Sequence, residues 1–390
     1  SEMCIRDSLQ WYMLPAMAPS NHDIERRWCY VISCRDVPTR FVDSIDGSTK
    51  ASYGIINHVE MYDPLYALTF SDDASWMYAG QRNALALFPL HAVGNNHHLA
   101  LDLSSQASEQ DNGGQHGIVS ALAVGCSPAV AQQDASETVQ VTAVGTFTNL
   151  VGVYLTESQW LADFPTTDKT CSSKWGTQNL LPGERVCLCG WTVPEGRGIT
   201  QLAWHPKEKH ILVVSMRRAP CLFVYDTSYL YGASSPFQFK PLATSDVSLV
   251  ARLPRDAGET HQRLQFGMDS QGQYLAAGDQ YGWIRIWSWA SILERNGTPH
   301  VQPVAEWQAH AGTFCYVTDN KMRSGASSFI HSIFTSSLVS AGHDIGIMMP
   351  VLKRVLSPTI RTLKCGDGIR LKQDSEVGKN ANESYKTTCM

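Results

Sequence analysis

The chain has 390 residues, 43% hydrophobic and 17% charged, with 11 Trp, 29 Gly, 18 Pro and a formal charge of −5. The apolar share supports a substantial core and excludes wholesale disorder, while a charged share below the roughly 25% of an average soluble chain excludes long coiled-coil helices. Lys plus Arg (31) do not outnumber Asp plus Glu (36), so no global basic field attracts nucleic acid and any such binding must be local.

In chain order, residues 1–8 contain MCIRDS, which reads as a translated sequencing adapter and is set apart from the fold. Leu9–Tyr12 then supplies a first strand for WCYVISCRDVPTRFVDSIDG, residues 28–47. A second unit, ALTFSDDASWMYAGQRNALALFPL, covers residues 67–90, and a third starts at Gly117 and runs through VQVTAVGTFTNLVGVYL to Leu155. The fourth, ITQLAWHPKEKHILVVSMRRAPCLFVYD, covers residues 199–226, and the fifth, RLQFGMDSQGQYLAAGDQYGWIRIWSW, residues 263–289. Each unit is an alternating apolar strand, a turn, a strand ending in small residues, and a third strand. Ser71-Asp72-Asp73 and Ser270-Gln271-Gly272 suit tight reversals, and Ala79-Gly80 and Ala277-Gly278 suit close backbone approach.

Five such units in register predict an all-β fold, a β-propeller built of WD-type repeats. Corresponding positions Phe70, Val124, Trp204 and Phe266 are 54, 80 and 62 residues apart. A minimal blade needs only about 40 to 45 residues, so 95–115, 156–184 and 229–260 read as projecting loops. The propeller is expected to span residues 9–312. Residues 313–390 lack the signature and switch to +4, leaving −8 on 9–312. That tail reads as translation through an intron or frameshift, with a basic tail as the alternative. Its most apolar stretch, 327–352, is interrupted by His331, His343 and Asp344, so no membrane span is expected.

The 11 Cys form no CxxC pair, and Cys187 and Cys189 are too close for a zinc knuckle, which suits buried thiols in a reducing compartment. There is no GxSxG, GxxxxGK or HExxH, and His97-His98 lacks a third ligand at useful spacing, so neither catalytic residues nor a metal or other cofactor is expected.

Four segments carry a more specific likeness: SCRDVPTRFVDSIDGSTKAS (33–52), Asn57-His58 before ALTF, Gly198-Ile199-Thr200 leading to Trp204-His205-Pro206 with Arg217-Arg218 later in that unit, and THQRLQFGMDSQGQYLAAG (260–278). In order and spacing they resemble the telomerase Cajal body proteins, WD-repeat RNA-binding factors with fungal relatives. The family's N-terminal extension and opening blade are absent, and no blade is recognisable after Gln308-Ala309-His310. The resemblance implies a seven-bladed propeller, with five blades legible here. It also implies a non-catalytic role: binding small Cajal body RNAs or telomerase RNA, with ribonucleoprotein subunits as further partners. The implied location is the nucleus, in Cajal bodies or nucleoplasm, with the cytoplasm as a further site. Neither a membrane nor a small-molecule substrate is implied. The alternative is a generic WD-repeat protein scaffold linked to spliceosomal small nuclear ribonucleoproteins.

On this reading the RNA-binding candidates are Arg35, Asn57, His58, Arg217, Arg218, Gln262 and Arg263. Cations suit phosphates, and amide and imidazole groups suit unpaired bases. Arg35 and Arg263 could instead pair with nearby acids, Asn57 and His58 could hold a turn, and Arg217-Arg218 could be a plain solvated turn. His205 reads as a buried structural histidine. Most Trp residues belong to the core, with Trp160 and Trp175 in a long loop as candidates for stacking.

Overall fold

A computed structural model describes residues 6–13, 28–104, 114–127, 139–156, 180–231, 237–242, 246–294, 300–309, 364–365 and 369–370. Its strands gather into five successive antiparallel sheets, one per predicted unit. The first holds β1 (Arg6–Met13), β2 (Trp28–Cys34), β3 (Thr39–Asp43) and β4 (Thr49–Gly54). The second holds β5 (Ala67–Phe70), β6 (Trp76–Gly80), β7 (Ala84–Pro89) and β9 (Leu99–Asp102); β8 (Gly94–Asn95) leaves it to join the first. The third holds β10 (Val119–Ser127), β11 (Val139–Thr146), β12 (Leu150–Leu155) and β14 (Cys187–Thr192), and β13 (Leu180–Pro182) joins the second. The fourth holds β15 (Ile199–Trp204), β16 (Ile211–Met216), β17 (Cys221–Asp226) and β19 (Leu249–Pro254), and β18 (Lys240–Pro241) joins the third. The fifth holds β20 (Phe266–Met268), β21 (Tyr274–Gly278), β22 (Trp283–Ser288) and β23 (Ala305–Gln308). Strand β1 begins inside the eight residues set apart above, with an irregular register between Arg6 and Ser8. In the tail, β24 (Lys364–Cys365) pairs with β25 (Ile369–Arg370); residues 310–363 and 371–390 lie outside the described residues.

The described parts of the stretches expected to project as loops contribute strands to the sheets. Two of them contain an outermost strand, β9 in 95–115 and β19 in 229–260. They also lace each sheet to the one before. β8 runs parallel to β4, β13 to β9 and β18 to β14, and His300 forms a parallel bridge with Arg252 of β19. Each time, the segment between the third and fourth strands of one sheet covers the free edge of its predecessor. An uncovered edge invites pairing with other chains, so the extra length serves the fold.

The first strands of successive sheets lie side by side, and small residues permit it. A Cβ on Gly80 would sit 2.4 Å from Val119, one on Gly145 2.6 Å from Ile199, and one on Gly125 2.5 Å from the Trp204 ring. Gln201 ties the fourth sheet to the fifth, its amide exchanging two 2.9 Å hydrogen bonds with the Phe266 backbone. Between sheets the core is apolar and aromatic: Trp191, Trp287, Trp289, Tyr78, Tyr154, Tyr225, Phe88 and Phe223 are almost wholly buried. The architecture is the all-β WD-repeat type expected from the repeats. Among the described residues no helix is long and apolar enough to cross a membrane.

Candidate nucleic-acid interface

Because every sheet is a four-strand meander starting at the same end, two kinds of connection share that end. These are the turns between second and third strands, and the links from one sheet to the next. All seven candidate residues fall there. Arg35 is in the β2–β3 turn, Asn57 and His58 in the β4–β5 link, Arg217 and Arg218 in the β16–β17 turn, and Gln262 and Arg263 in the β19–β20 link. Repetition of the unit also brings Arg82 (β6–β7 turn) and Arg197 (β14–β15 link) to this end, which the sequence reading passed over. Their positions were the available signal, Arg82 in a turn equivalent to those of Arg35 and Arg217 and Arg197 in a link equivalent to those of His58 and Arg263.

The structure separates these residues by what they touch. Asn57 is an organiser of its own loop. Its Oδ1 accepts from the Val59 and Met61 amides at 3.0 and 3.1 Å, and its Nδ2 donates to Asp63 at 3.0 Å. That engages both ends of the amide, so the turn role is the one the geometry realises. His58 is exposed beside it. His205 is buried and neutral, its Nδ1 accepting from the Lys207 and Glu208 amides and its ring edge-on to Trp289. Trp160 and Trp175 lie outside the described residues.

The arginines divide into two groups. Arg252 pairs with Glu195, and Arg285 pairs with Asp279 at 2.6 Å, Asp256 at 3.0 Å and Glu306 at 3.1 Å. Arg35, Arg82, Arg197, Arg217, Arg218 and Arg263 have no ion-pair partner among the described residues, and all but half-buried Arg217 are exposed. Of these, Arg217 and Arg263 meet. Their guanidinium carbons lie 4.5 and 5.8 Å from the centroid of one ring, Phe147 of the β11–β12 turn. Desolvation of the guanidinium end pulls both groups below their ordinary range, even though Arg263 as a residue is exposed, and for Arg263 the Arg217 charge is a second cause. A guanidinium over a phenyl face gains about 0.5–1 kcal/mol at such a site.

Neighbouring backbone fixes this cluster. Gly198, at φ +86°, passes so close to Phe147 that a Cβ would fall 2.9 Å from the ring, and Gly196, at φ +82°, packs against the Arg217 carbonyl. Asn149, itself left-handed at φ 68°, clamps that link: its Oδ1 accepts from the Gly198 amide at 2.5 Å and its Nδ2 donates to the Gly196 carbonyl at 3.1 Å. The β6–β7 turn repeats the device, with Asn83 accepting from the Gly117 amide at 2.6 Å. Beneath the β19–β20 link, buried Arg255 donates to the Leu264 carbonyl at 3.2 Å and to Ser215 Oγ at 2.8 Å, and burial lowers its pKa to about 10. Among the described residues no group of three His, Cys, Asp or Glu could hold a metal ion.

No protein-family model matches the chain. Among curated proteins it is 24% identical over 265 residues to guanine nucleotide-binding protein negative regulator 1 of Schizosaccharomyces pombe, covering 68% of this chain and 53% of that one. It is 24% identical over 278 residues to telomerase Cajal body protein 1 of Mesocricetus auratus, covering 71% of this chain and 39% of that protein. The human telomerase Cajal body protein 1 gives the same identity over 71% of this chain and 38% of its own. The chain thus spans about half of the yeast protein and about two fifths of the Cajal body proteins. Its likeness to the telomerase Cajal body protein family holds over about 70% of its length, together with an all-β WD-repeat architecture.

Proposed function

We propose that the chain is a non-catalytic RNA-binding WD-repeat protein. On this reading it holds small Cajal body guide RNAs or telomerase-type RNA at its arginine-bearing end and directs their placement in the nucleus. The observation that carries the reading is the set of arginines at one end without ion-pair partners among the described residues. Phosphate neutralisation by such cations supplies most of the affinity of sequence-independent nucleic-acid binding and makes it fall with salt. Likeness to telomerase Cajal body protein 1 supports the RNA and nuclear parts of the reading.

Filter binding of a guide-RNA hairpin to the full chain tests it. Tight binding with a steep salt slope is expected, and the slope should shrink by about one unit for each phosphate-contacting arginine removed. The pair Arg217→Glu and Arg218→Glu should abolish preference over background. Equal affinity for random hairpins, or no effect of the two reversals, refutes the assignment. A second reading, a generic WD-repeat protein scaffold, draws on the Schizosaccharomyces pombe relative, whose name describes a regulator of a guanine nucleotide-binding protein. Co-purification of a protein complex without RNA favours that reading.

A further inference from the structure

We propose that Arg217 and Arg263, converging on Phe147, form the site for a single backbone phosphate of an unpaired RNA segment. The proposal rests on the RNA-binding reading and names the atoms that would engage the RNA. Two like charges over one ring repel each other when nothing lies between them. Such an arrangement is built for an anion when neighbouring carboxylates are withheld, and here four of them are paired elsewhere. Glu195 is taken by Arg252, and Asp256, Asp279 and Glu306 are taken by Arg285. Glu259 accepts from the Tyr281 hydroxyl at 3.3 Å.

One further observation points the same way: both arginines stand on fixed backbone. The Arg217 amide donates to the Gly198 carbonyl at 3.0 Å and its carbonyl accepts from Arg197 at 2.7 Å, while Arg255 holds the Leu264 carbonyl next to Arg263. A phosphate oxygen can take charge-assisted hydrogen bonds of about 2.7–2.9 Å from each guanidinium. One such anion would cancel the repulsion between the two guanidinium groups. An unpaired segment is specified because the cluster sits between two turns, where a flexible strand can bring a phosphate in without the bulk of a helix.

The test uses the full chain. Thermal unfolding is followed in inorganic phosphate and in chloride at equal ionic strength, and a short unpaired oligoribonucleotide and a phosphoserine peptide are titrated separately. Phosphate should raise the wild-type midpoint. Arg217→Gln and Arg263→Gln should lose that rise while changing the midpoint in chloride little, because each removes a repulsion and a ring contact that offset one another. Lys207→Gln, at the opposite end, should keep the rise. Each arginine variant should weaken the oligoribonucleotide roughly tenfold, the equivalent of one charge-assisted contact. A phosphate response unchanged in both arginine variants overturns the site. If wild-type and variants bind the oligoribonucleotide equally, the site fails while the RNA reading stands. If phosphate acts through the two arginines but the oligoribonucleotide does not bind, the RNA reading fails. Arginine-dependent binding of the phosphoserine peptide in place of RNA also overturns the RNA assignment.

Discussion

Replacing Asn149 by Ala tests how the arginine cluster is held. The side chain makes two hydrogen bonds to the β14–β15 link, and each contributes about 1 kcal/mol net. Its own φ of 68° lies in the left-handed region, which costs Ala about 1 kcal/mol more than it costs Gly. Asn149→Ala should therefore destabilise the chain by about 3 kcal/mol, and Asn149→Gly, which loses the bonds and keeps the backbone easy, by about 2 kcal/mol. Urea unfolding followed by tryptophan fluorescence gives both values, and hydrogen exchange at the Gly198 amide reports the clamp itself. Since Phe147 is two residues upstream, RNA affinity should fall with Asn149→Ala. Asn83→Ala, the equivalent change in the second sheet, should lower stability and leave the Phe147 cluster alone. If Asn149→Gly lies within about 0.5 kcal/mol of wild type and Gly198 exchange is unaltered, the clamp does not hold the link and the reasoning fails.

Two further outcomes follow from buried ionisable groups. His98 packs on Phe88 at 5.3 Å, neither of its ring nitrogens is hydrogen-bonded among the described residues, and burial drops its pKa to about 4. The unfolded chain takes up this proton near pH 6.5, so the stability carried by neutral His98 is full above that pH. It is lost as pH falls toward 4, by up to about 3 kcal/mol. His98→Phe should flatten that part of the acid limb in a series of unfolding midpoints from pH 7 to 4.5, and a slope equal to wild type would falsify the assignment. Asp279 is wholly buried, accepting from the Tyr281 and Trp283 amides at 2.9 Å and from Arg285. Asp279→Ala should destabilise by about 3–5 kcal/mol, because it strands a partly buried guanidinium. A loss under 1 kcal/mol in urea unfolding would mean that Asp256 and Glu306 suffice for Arg285.

Most of the architecture was legible because each unit repeats the same local physics. Alternation gave the first three strands of each sheet, and Asp269 shows the turn chemistry at work, its carboxylate accepting from the Gln273 and Tyr274 amides at 2.7 Å. The outermost strands were not legible in the same way. LALD of β9 is short and LVARLP of β19 stands beyond a long connection, and what makes them strands is pairing with β7 and β17. Edge-covering segments such as β13 have no pattern at all, since their pairing is with a neighbouring sheet. At the site, the arginines were visible as residue types, but not their division into paired and unpaired, which depends on which carboxylates fold beside them. Phe147 could not be singled out: an aromatic at a strand end reads as core, and its part emerges only where Arg217 and Arg263, 46 positions apart in sequence, reach it from two loops.

An acidic propeller that binds RNA looks contradictory until the charges are placed. Residues 9–312 carry −8, yet many of the acids lie in turns at the far end, among them Asp72, Asp73, Glu208 and Asp269. A strand of five or six residues separates the two ends by about 17–20 Å, roughly two screening lengths at physiological salt, so those acids barely reach the arginines. At the near end, Glu195 is bound to Arg252, and Asp256, Asp279 and Glu306 to Arg285, while exposed Glu259 accepts only from the Tyr281 hydroxyl among the described residues. Around the first sheet the balance differs, because Asp36, Glu60 and Asp63 stand in the same turn and link as Arg35, Asn57 and His58. The local positive field is therefore centred on Arg197, Arg217, Arg218 and Arg263, where the third, fourth and fifth sheets meet. Arg35 and His58 sit at its margin, and a bound RNA strand has to be oriented from that centre outward.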